Sequence, residues 1–471
     1  MITWALLAVL VVSALLYSRW RHSYWSSRGV PTAPGSIPFL GHTLKLFSQK
    51  KYRWLTIDEM YRNHGGSLYC GLYEMHIPNL LIGDPDLVKA VLIKDFDHFA
   101  DRRTFEATNP KDKVLNEMLT NATGDHWKGI RSVLSTSFTS GRMKGMFPLV
   151  EAKAEGLVDY FHRQLEKDPV VRMKHSFGMY TMEVISSCAF GLETNSFEEN
   201  GIFPKKAIEM FKISPMMMVK IIIFMTAPKL LKLLNIQLSH ENFHFFSDVV
   251  IETMKQRQAG GKRGDFLDIM LETREDQDEK TDKKKPKYPL SDEVSHSIFS
   301  LLFIVFHPEE QERLREELKK IIEEHGTLTY QGIMEAKYLD GCISVFVFFL
   351  DRLPGTDVVI AKGDVVSIPV WSLHHDQRYW PEPEKFDPTR FFPENKDRIV
   401  SGTYLPFGLG PRNCIAMRFA LMEAKLALAR TVLEFELRCA PGHEELEFSL
   451  VPGIMRPKDD VFVTLTPVAK E

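Results

Sequence analysis

Paired cysteine is the first thing this chain lacks. Its five cysteines, Cys70, Cys188, Cys342, Cys414 and Cys439, lie far apart with no Cys-x-x-Cys spacing. That excludes a zinc knuckle and a disulfide framework, and a reducing, cytosol-facing setting is the simplest fit. An excess of charge is lacking too. The formal net charge is −3 over 471 residues, so there is no basic footprint for nucleic acid and no such partner is expected. Internal repeats are absent, and strands and helices do not alternate as they do in βαβ folds. Long uncharged runs are scarce: the one that stands out is Ile2 to Tyr17.

That run is slightly short for the ~30 Å hydrocarbon core of a bilayer, and Trp20 and Trp25 extend it as interfacial residues. Arg19 and Arg21 follow it. A cleaved signal peptide, the rival reading, carries its basic residues ahead of the apolar run. Residues 1–18 are therefore read as a membrane anchor, with the body on the cytoplasmic side of the endoplasmic reticulum membrane by the positive-inside rule. Residues 19–41 are basic and proline-rich, with Pro31, Pro34 and Pro38. They read as a stiff extended hinge or as a plain surface linker.

Residues 42–471 read as one body, mostly α with a small β portion. "LTIDEMYRNHG" is helical, "SLYCGLYEMHIPNLLIG" alternates as short strands, and "DPDLVKAVLIKD" opens on a capping aspartate. From about residue 120 helical spacing dominates. "REDQDEKTDKKKPK" (274–287) is a charge run and reads as a solvated loop. "GTDVVIAKGDVVSIPV", "FSLVPGIM" and "VFVTLTP" read as short strands and turns. The apolar stretch 214–236 is broken by Lys220, Pro228, Lys229 and Lys232. It reads as a buried helix pair or as a surface element dipping into the anchor's membrane.

The chemistry concentrates in "FGLGPRNCIAMRFA" (407–420). Free cysteine is often just buried filler. Here Cys414 precedes a helix expected to start near Ile415, and helix N-termini stabilise thiolates. Gly408 and Gly410 permit a tight loop, Phe407 screens the site from water, and Arg412 offers a planar fork to a carboxylate. The following helix, apolar on nearly all sides, is expected to be central. One soft ligand, a nearby arginine and no second protein ligand suggest a metal that brings its own equatorial ligands, as haem does.

The stretch "PFGLGPRNCIAMRFALMEAKLALAR" resembles the haem-binding loop of the microsomal cytochrome P450 family, through Phe407, Gly410, Arg412 and Cys414, with Ala416 where the family has glycine. The resemblance spans nearly the whole chain. It is closest to the clan of vertebrate drug and steroid hydroxylases and thromboxane synthases. "GDHWKGIRSVLSTSFTSGRMK" resembles the family helix whose tryptophan and arginine contact a haem propionate, here Trp127 and Arg131. By spacing alone, a surface cation–π pair fits those two equally well. Arg102 falls where family members place a propionate-binding arginine.

The resemblance implies the cytochrome P450 fold and haem b, with Cys414 as metal ligand and catalytic residue. It implies electrons from NADPH through NADPH–cytochrome P450 reductase. The implied activity is insertion of one oxygen atom from O2 into an apolar small molecule such as a lipid, steroid or xenobiotic. The alternatives are a haem-thiolate isomerase of a fatty peroxide and a non-catalytic isoform.

Two family elements are missing. In "LSDEVSHSIFSLLFIVFHPEEQERLREEL" the long central helix with its Ala-Gly-x-x-Thr stretch is cut short, because Phe306 runs into His307-Pro308. About ten apolar residues reach only ~15 Å as helix. After "YLDGCIS", the Glu-x-x-Arg helix is replaced by "VFVFF". Glu310–Arg313 and Glu312–Arg315 match that spacing but read as surface i,i+3 pairs. Arg390, in "FDPTRF", is left without its expected carboxylate. With these gaps near 306 and 344, the chain is expected to bind haem poorly and hydroxylate little.

Overall fold

This computed structural model describes residues 2–47, 51–102, 109, 112–198, 201–210, scattered positions between 216 and 239, then 242–260, 263, 265–268, 305, 307–344, 360–443, 446–449 and 457–469. The charge run 274–287, most of 291–306, the "VFVFF" stretch, residues 355–359, and 450–455 of the "FSLVPGIM" strand reading lie outside the described residues.

The chain opens with helix α1 (Ile2–Arg21). Helix α2 (Arg53–Asn63) leads to the strands β1 (Tyr69–Glu74) and β2 (Ile77–Ile82). Helices α3 (Gly124–Ser135) and α4 (Ser140–Leu165) come next. Strand β3 (Val170–Arg172) then leads to α5 (Met173–Phe190) and α6 (Asn242–Ala259). Helices α7 (Pro308–His325), α8 (Tyr330–Glu335) and α9 (Lys337–Ser344) precede strand β4 (Val365–Ser367). Helix α10 (Met417–Glu434) and strands β5 (Phe435–Cys439) and β6 (Phe462–Pro467) complete the order. The strands form two small sheets, ordered β1-β2-β4 and β3-β6-β5. β1 and β2 pair antiparallel with Tyr69 opposite Ile82, and β4 joins β2 in parallel. Strands β3 and β5 were not in the sequence reading. Each is short and gains its pairing only from β6.

The main core joins α4, α5, α7, α9 and α10 to the second sheet. Helix α10 buries residues on every side of its cylinder, including Phe419, Met422, Leu426, Leu428 and Val432. A helix apolar all round belongs inside a domain, which is where the sequence placed it. Helix α7 is amphipathic instead. Gln311, Leu314, Arg315 and Leu318 are its buried residues, at the i, i+3, i+4, i+7 spacing of a single face. Pro308 and two glutamates favour its start, and Gly326 (φ 76°) ends it in the left-handed region.

The N-terminal segment departs from the sequence reading. Helix α1 runs on to Arg21, past the expected boundary at residue 18, and its apolar side chains are exposed. It is long and apolar enough to cross a membrane. Trp20 is exposed, but Trp25 is fully buried against β1, where a Cβ on Gly71 would lie 2.5 Å from its ring. Trp25 is therefore core, not an interfacial anchor; ring area lost to water outweighs interfacial preference. The proline segment is pinned rather than loose. Gly71 donates its N–H to the Pro31 carbonyl at 2.7 Å and accepts from Ala33 at 2.9 Å. Of the stretch 214–236, the described residues Met216, Val219, Leu230, Leu233 and Leu234 are exposed, which disfavours the buried helix pair.

Candidate functional site

The Cys414 loop is closed by its own backbone. The Cys414 N–H donates to the Phe407 carbonyl at 2.8 Å, Gly408 donates to Leu405 at 3.1 Å, and Asn413 donates to Gly410 at 3.0 Å. Gly408 and Gly410 both sit at φ +75°, a conformation that favours glycine. Gly410 is constrained twice, since a Cβ there would lie 1.9 Å from the Leu92 carbonyl oxygen. Phe407 is buried and packs with Ala420, next to Cys414 and Met417. Cys414 itself stays partly exposed. Helix α10 starts at Met417, two residues later than the sequence suggested, with Ala416 as its N-cap. The Ala416 carbonyl accepts the Ala420 N–H at 2.9 Å.

Three guanidiniums converge on this loop. Arg412 is buried. It donates to the carbonyls of Ala100 at 2.8 Å and Ala122 at 3.0 Å, and lies 3.5 Å from an Asp101 carboxylate oxygen. Its guanidinium carbon sits 4.0 Å over the Trp127 ring. Arg102 donates to the Arg412 carbonyl at 2.9 Å. Arg131 donates to the Asn413 carbonyl at 2.6 Å and to its Oδ1 at 2.7 Å. The cation–π partner of Trp127 is thus Arg412, not the Arg131 that shares its helix. The fork of Arg412 is spent mainly on carbonyls. Burial lowers the pKa of Arg131, and Arg102 beside it adds to the effect, while the Cys414 thiolate opposes both. Neither Arg102 nor Arg131 pairs with a carboxylate among the described residues.

These residues fit haem. Among the described residues, no group of three or more His, Cys, Asp or Glu is placed to hold a metal. The loop offers one soft donor, and beside it, among the described residues, two guanidiniums donate only to amide oxygens. That donor set suits a metal carrying its own ring of ligands and its own carboxylates.

Sequence reasoning missed three participants. Asn413 accepts Arg131 through its backbone and its side chain, and its place beside the cysteine was the available clue. Lys425, fully buried, pairs with Asp340 of α9 at 2.9 Å; a lysine inside a largely apolar helix was its clue. The Tyr404 hydroxyl donates to the Ser344 carbonyl, and no local pattern announces that contact.

The Glu-x-x-Arg region also differs in detail. Glu310–Arg313 is a 3.4 Å i,i+3 pair with an exposed arginine, as read. Glu312 and Arg315 do form their i,i+3 pair, with Glu312 at the surface, but the arginine reaches inward. Arg315 is buried and donates to the carbonyls of Val432 at 3.0 Å and Phe435 at 3.3 Å, where α10 passes into β5. Arg390 donates to the Glu382 carbonyl at 2.7 Å and stands 3.7 Å from Asp387, and its buried Nε has no hydrogen-bond partner among the described residues.

Comparison with known proteins agrees with this site. A family model described as Cytochrome P450 matches residues 31–465. Cytochrome P450 3A41 of Mus musculus is 31% identical over 501 positions, covering 99% of this chain and 96% of its own. Cytochrome P450 3A7 of Homo sapiens is 34% identical over 471 positions, covering 93% and 91%. Cytochrome P450 9e2 of Blattella germanica is 32% identical over 488 positions, covering 92% and 91%. The chain belongs to the cytochrome P450 family of haem-thiolate monooxygenases. Membership brings haem iron and electrons supplied by a reductase, and helix α1 is long and apolar enough to serve as a membrane anchor. The 501 positions aligned with the mouse protein exceed the 471 residues here, so at least 30 of them face no residue of this chain.

Proposed function

We propose that Cys414 is the axial ligand of haem b in a monooxygenase whose competence is impaired in this chain. The observation that carries the reading is the convergence of Arg102 and Arg131 on the carbonyls beside Cys414. Arg102 and Arg131 hold the haem carboxylates. Arg412, laid on Trp127, adds fixed positive charge and ties the loop to residues 100 and 122. Phe407 excludes water from the sulfur, Gly410 lets the loop approach Leu92, and Ala416 starts the helix behind it. When bound, the haem supplies activation of O2, which a thiolate ligand favours. The substrate is an apolar small molecule. Electrons come from NADPH through NADPH–cytochrome P450 reductase at the endoplasmic reticulum, with the body facing the cytoplasm. Helix α1 anchors the protein, and exposed apolar residues such as Met216 and Leu233 rest on the same membrane.

We place the unmatched positions after Phe306 and after Ser344. The family's proton-delivering helix and the carboxylate partner of Arg390 both fall there. General acid–base steps commonly supply ~10²–10⁴-fold in rate, so their loss alone accounts for weak hydroxylation. The test expresses this chain beside a version with family-like segments inserted at both points, and compares haem per protein and NADPH-driven turnover. The insertions are expected to raise both. Equal haem content and equal turnover would remove the impairment from the reading. Peroxide rearrangement without NADPH-driven turnover would replace the monooxygenase by an isomerase.

A further inference from the structure

Both flanks of the Cys414 loop are fastened to a single short helix. Upstream, the Tyr404 hydroxyl donates to the carbonyl of Ser344, the last residue of α9. Downstream, Lys425 of α10 reaches the carboxylate of Asp340, in the middle of α9, at 2.9 Å. The same ammonium donates to the Met334 carbonyl of α8 at 3.1 Å. Helix α9 is itself held on its other sides. The Glu317 carboxylate of α7 accepts the N–H groups of Tyr338 at 2.8 Å and Leu339 at 3.0 Å. Gly341 lies so close to the 388–391 segment that a Cβ there would sit 2.6 Å from the Pro388 carbonyl oxygen.

Much of the rest of the α10 interface is apolar, although Arg430 pairs with Glu151 and Glu155 of α4, and the Glu423 and Val432 carbonyls accept from Tyr180 of α5 and Arg315 of α7. Apolar packing rewards burial without fixing direction, so it specifies weakly where α10 stops along its own axis. A buried polar group with fixed partners does specify register. Lys425 is such a group on the side facing α9: it is fully buried, and both of its acceptors belong to other helices.

We propose that Lys425, through Asp340, and Tyr404, through Ser344, are positioning residues that set the span of the Cys414 loop against α9. They thereby fix where the sulfur stands relative to Arg102 and Arg131. This rests on the haem-thiolate reading for its chemical consequence, but not for its geometry. The brace stands beside Arg390, whose Nε has no hydrogen-bond partner among the described residues, and it adds a second tie between α9 and the ligand loop.

The test uses the full-length protein, its Lys425→Met, Lys425→Arg and Tyr404→Phe variants, and two readouts. The first is the ratio of the red-shifted thiolate band to the unshifted band in the reduced carbon monoxide spectrum, per bound haem. Lys425→Met is expected to lower that ratio by about tenfold, the factor that ~1.4 kcal/mol produces. Tyr404→Phe lowers it by a smaller factor, and Lys425→Arg, which keeps charge and donors, restores most of it. The second readout, amide hydrogen exchange without haem, follows the loop N–H groups of Gly408, Asn413 and Cys414. Their exchange is expected to quicken in Lys425→Met while the middle of α10 keeps its protection. An unchanged ratio in the haem that Lys425→Met retains overturns the proposal, whatever the variant's melting temperature. So does exchange that is unchanged in the loop, or quickened equally through α10. A parent protein without the red-shifted band defeats the haem-thiolate reading instead, and the exchange arm then decides the brace alone.

Discussion

Arg412 and Arg390 make an instructive pair. Arg412 is buried with acceptors for Nε and Nη2, an aspartate beside it and an aromatic ring beneath it. Among the described residues, Arg390 has one carbonyl, an aspartate at 3.7 Å and no hydrogen-bond partner for its Nε. The partners of Arg412 described above come from residues 100–127, which this chain keeps. The partner missing from Arg390 belongs, on the proposed reading, to the segment after Ser344. The ligand loop is thus complete while one of its supports is not. A site can keep its first contacts and still lose competence through what lay behind them.

The contrast can be broken by mutation. Arg412→Ala is expected to cost about 3–5 kcal/mol, the scale of removing one member of a buried ionic group. It should also release haem, as measured by urea unfolding and by haem content. Arg390→Ala in this chain is expected to cost less than ~1 kcal/mol, since it removes one carbonyl bond and a loose ion pair. A large cost there would mean that Arg390 has found a substitute partner. The sharper version repeats Arg390→Ala after a family-like segment is inserted behind Ser344. The cost is then expected to rise by ~2 kcal/mol or more, a coupling typical of residues in direct contact.

A smaller effect comes from His374, which sits on the entry to the loop. Its Nε2 accepts the Leu405 N–H at 2.9 Å. Burial, with a minor contribution from His375, lowers its pKa from 6.5 to about 3. The unfolded chain therefore takes up a proton below pH 6.5 that the folded chain refuses until about pH 3. The stability tied to neutral His374 is full above pH 6.5 and falls as the pH drops, by at most ~1.4 kcal/mol per unit. His374→Gln keeps an acceptor and should flatten the loss between pH 6.5 and 5 in urea titrations. An unchanged slope would place the titration elsewhere, with His42 and His22 the next groups to examine, since burial lowers both.

The Cys414 loop was legible because its determinants are local. Glycines at fixed offsets, a cysteine and an apolar helix behind it all lie within one short stretch. The central position of α10 was legible for the same reason, since its apolar residues cover every face. Trp25 was misread because position next to an apolar run says nothing about what folds over it, and Gly71 is distant in sequence. The inward reach of Arg315 was missed because its carbonyl acceptors lie on α10 and β5, more than a hundred residues away. Strands β3 and β5 escaped because short strands owe their existence to a partner rather than to their own pattern. The abrupt junctions at Phe306 and Ser344 were visible in the sequence, whereas the contacts of Lys425 with Asp340 and Met334 needed the fold.

The most direct test of the whole account is the reduced carbon monoxide spectrum of this chain and of its Cys414→Ala variant, both reconstituted with haem. The account predicts a red-shifted thiolate Soret band in the parent, at sub-stoichiometric haem, and no such band in the variant. An unshifted, histidine-like band in the parent, or a red-shifted band that survives Cys414→Ala, would contradict it.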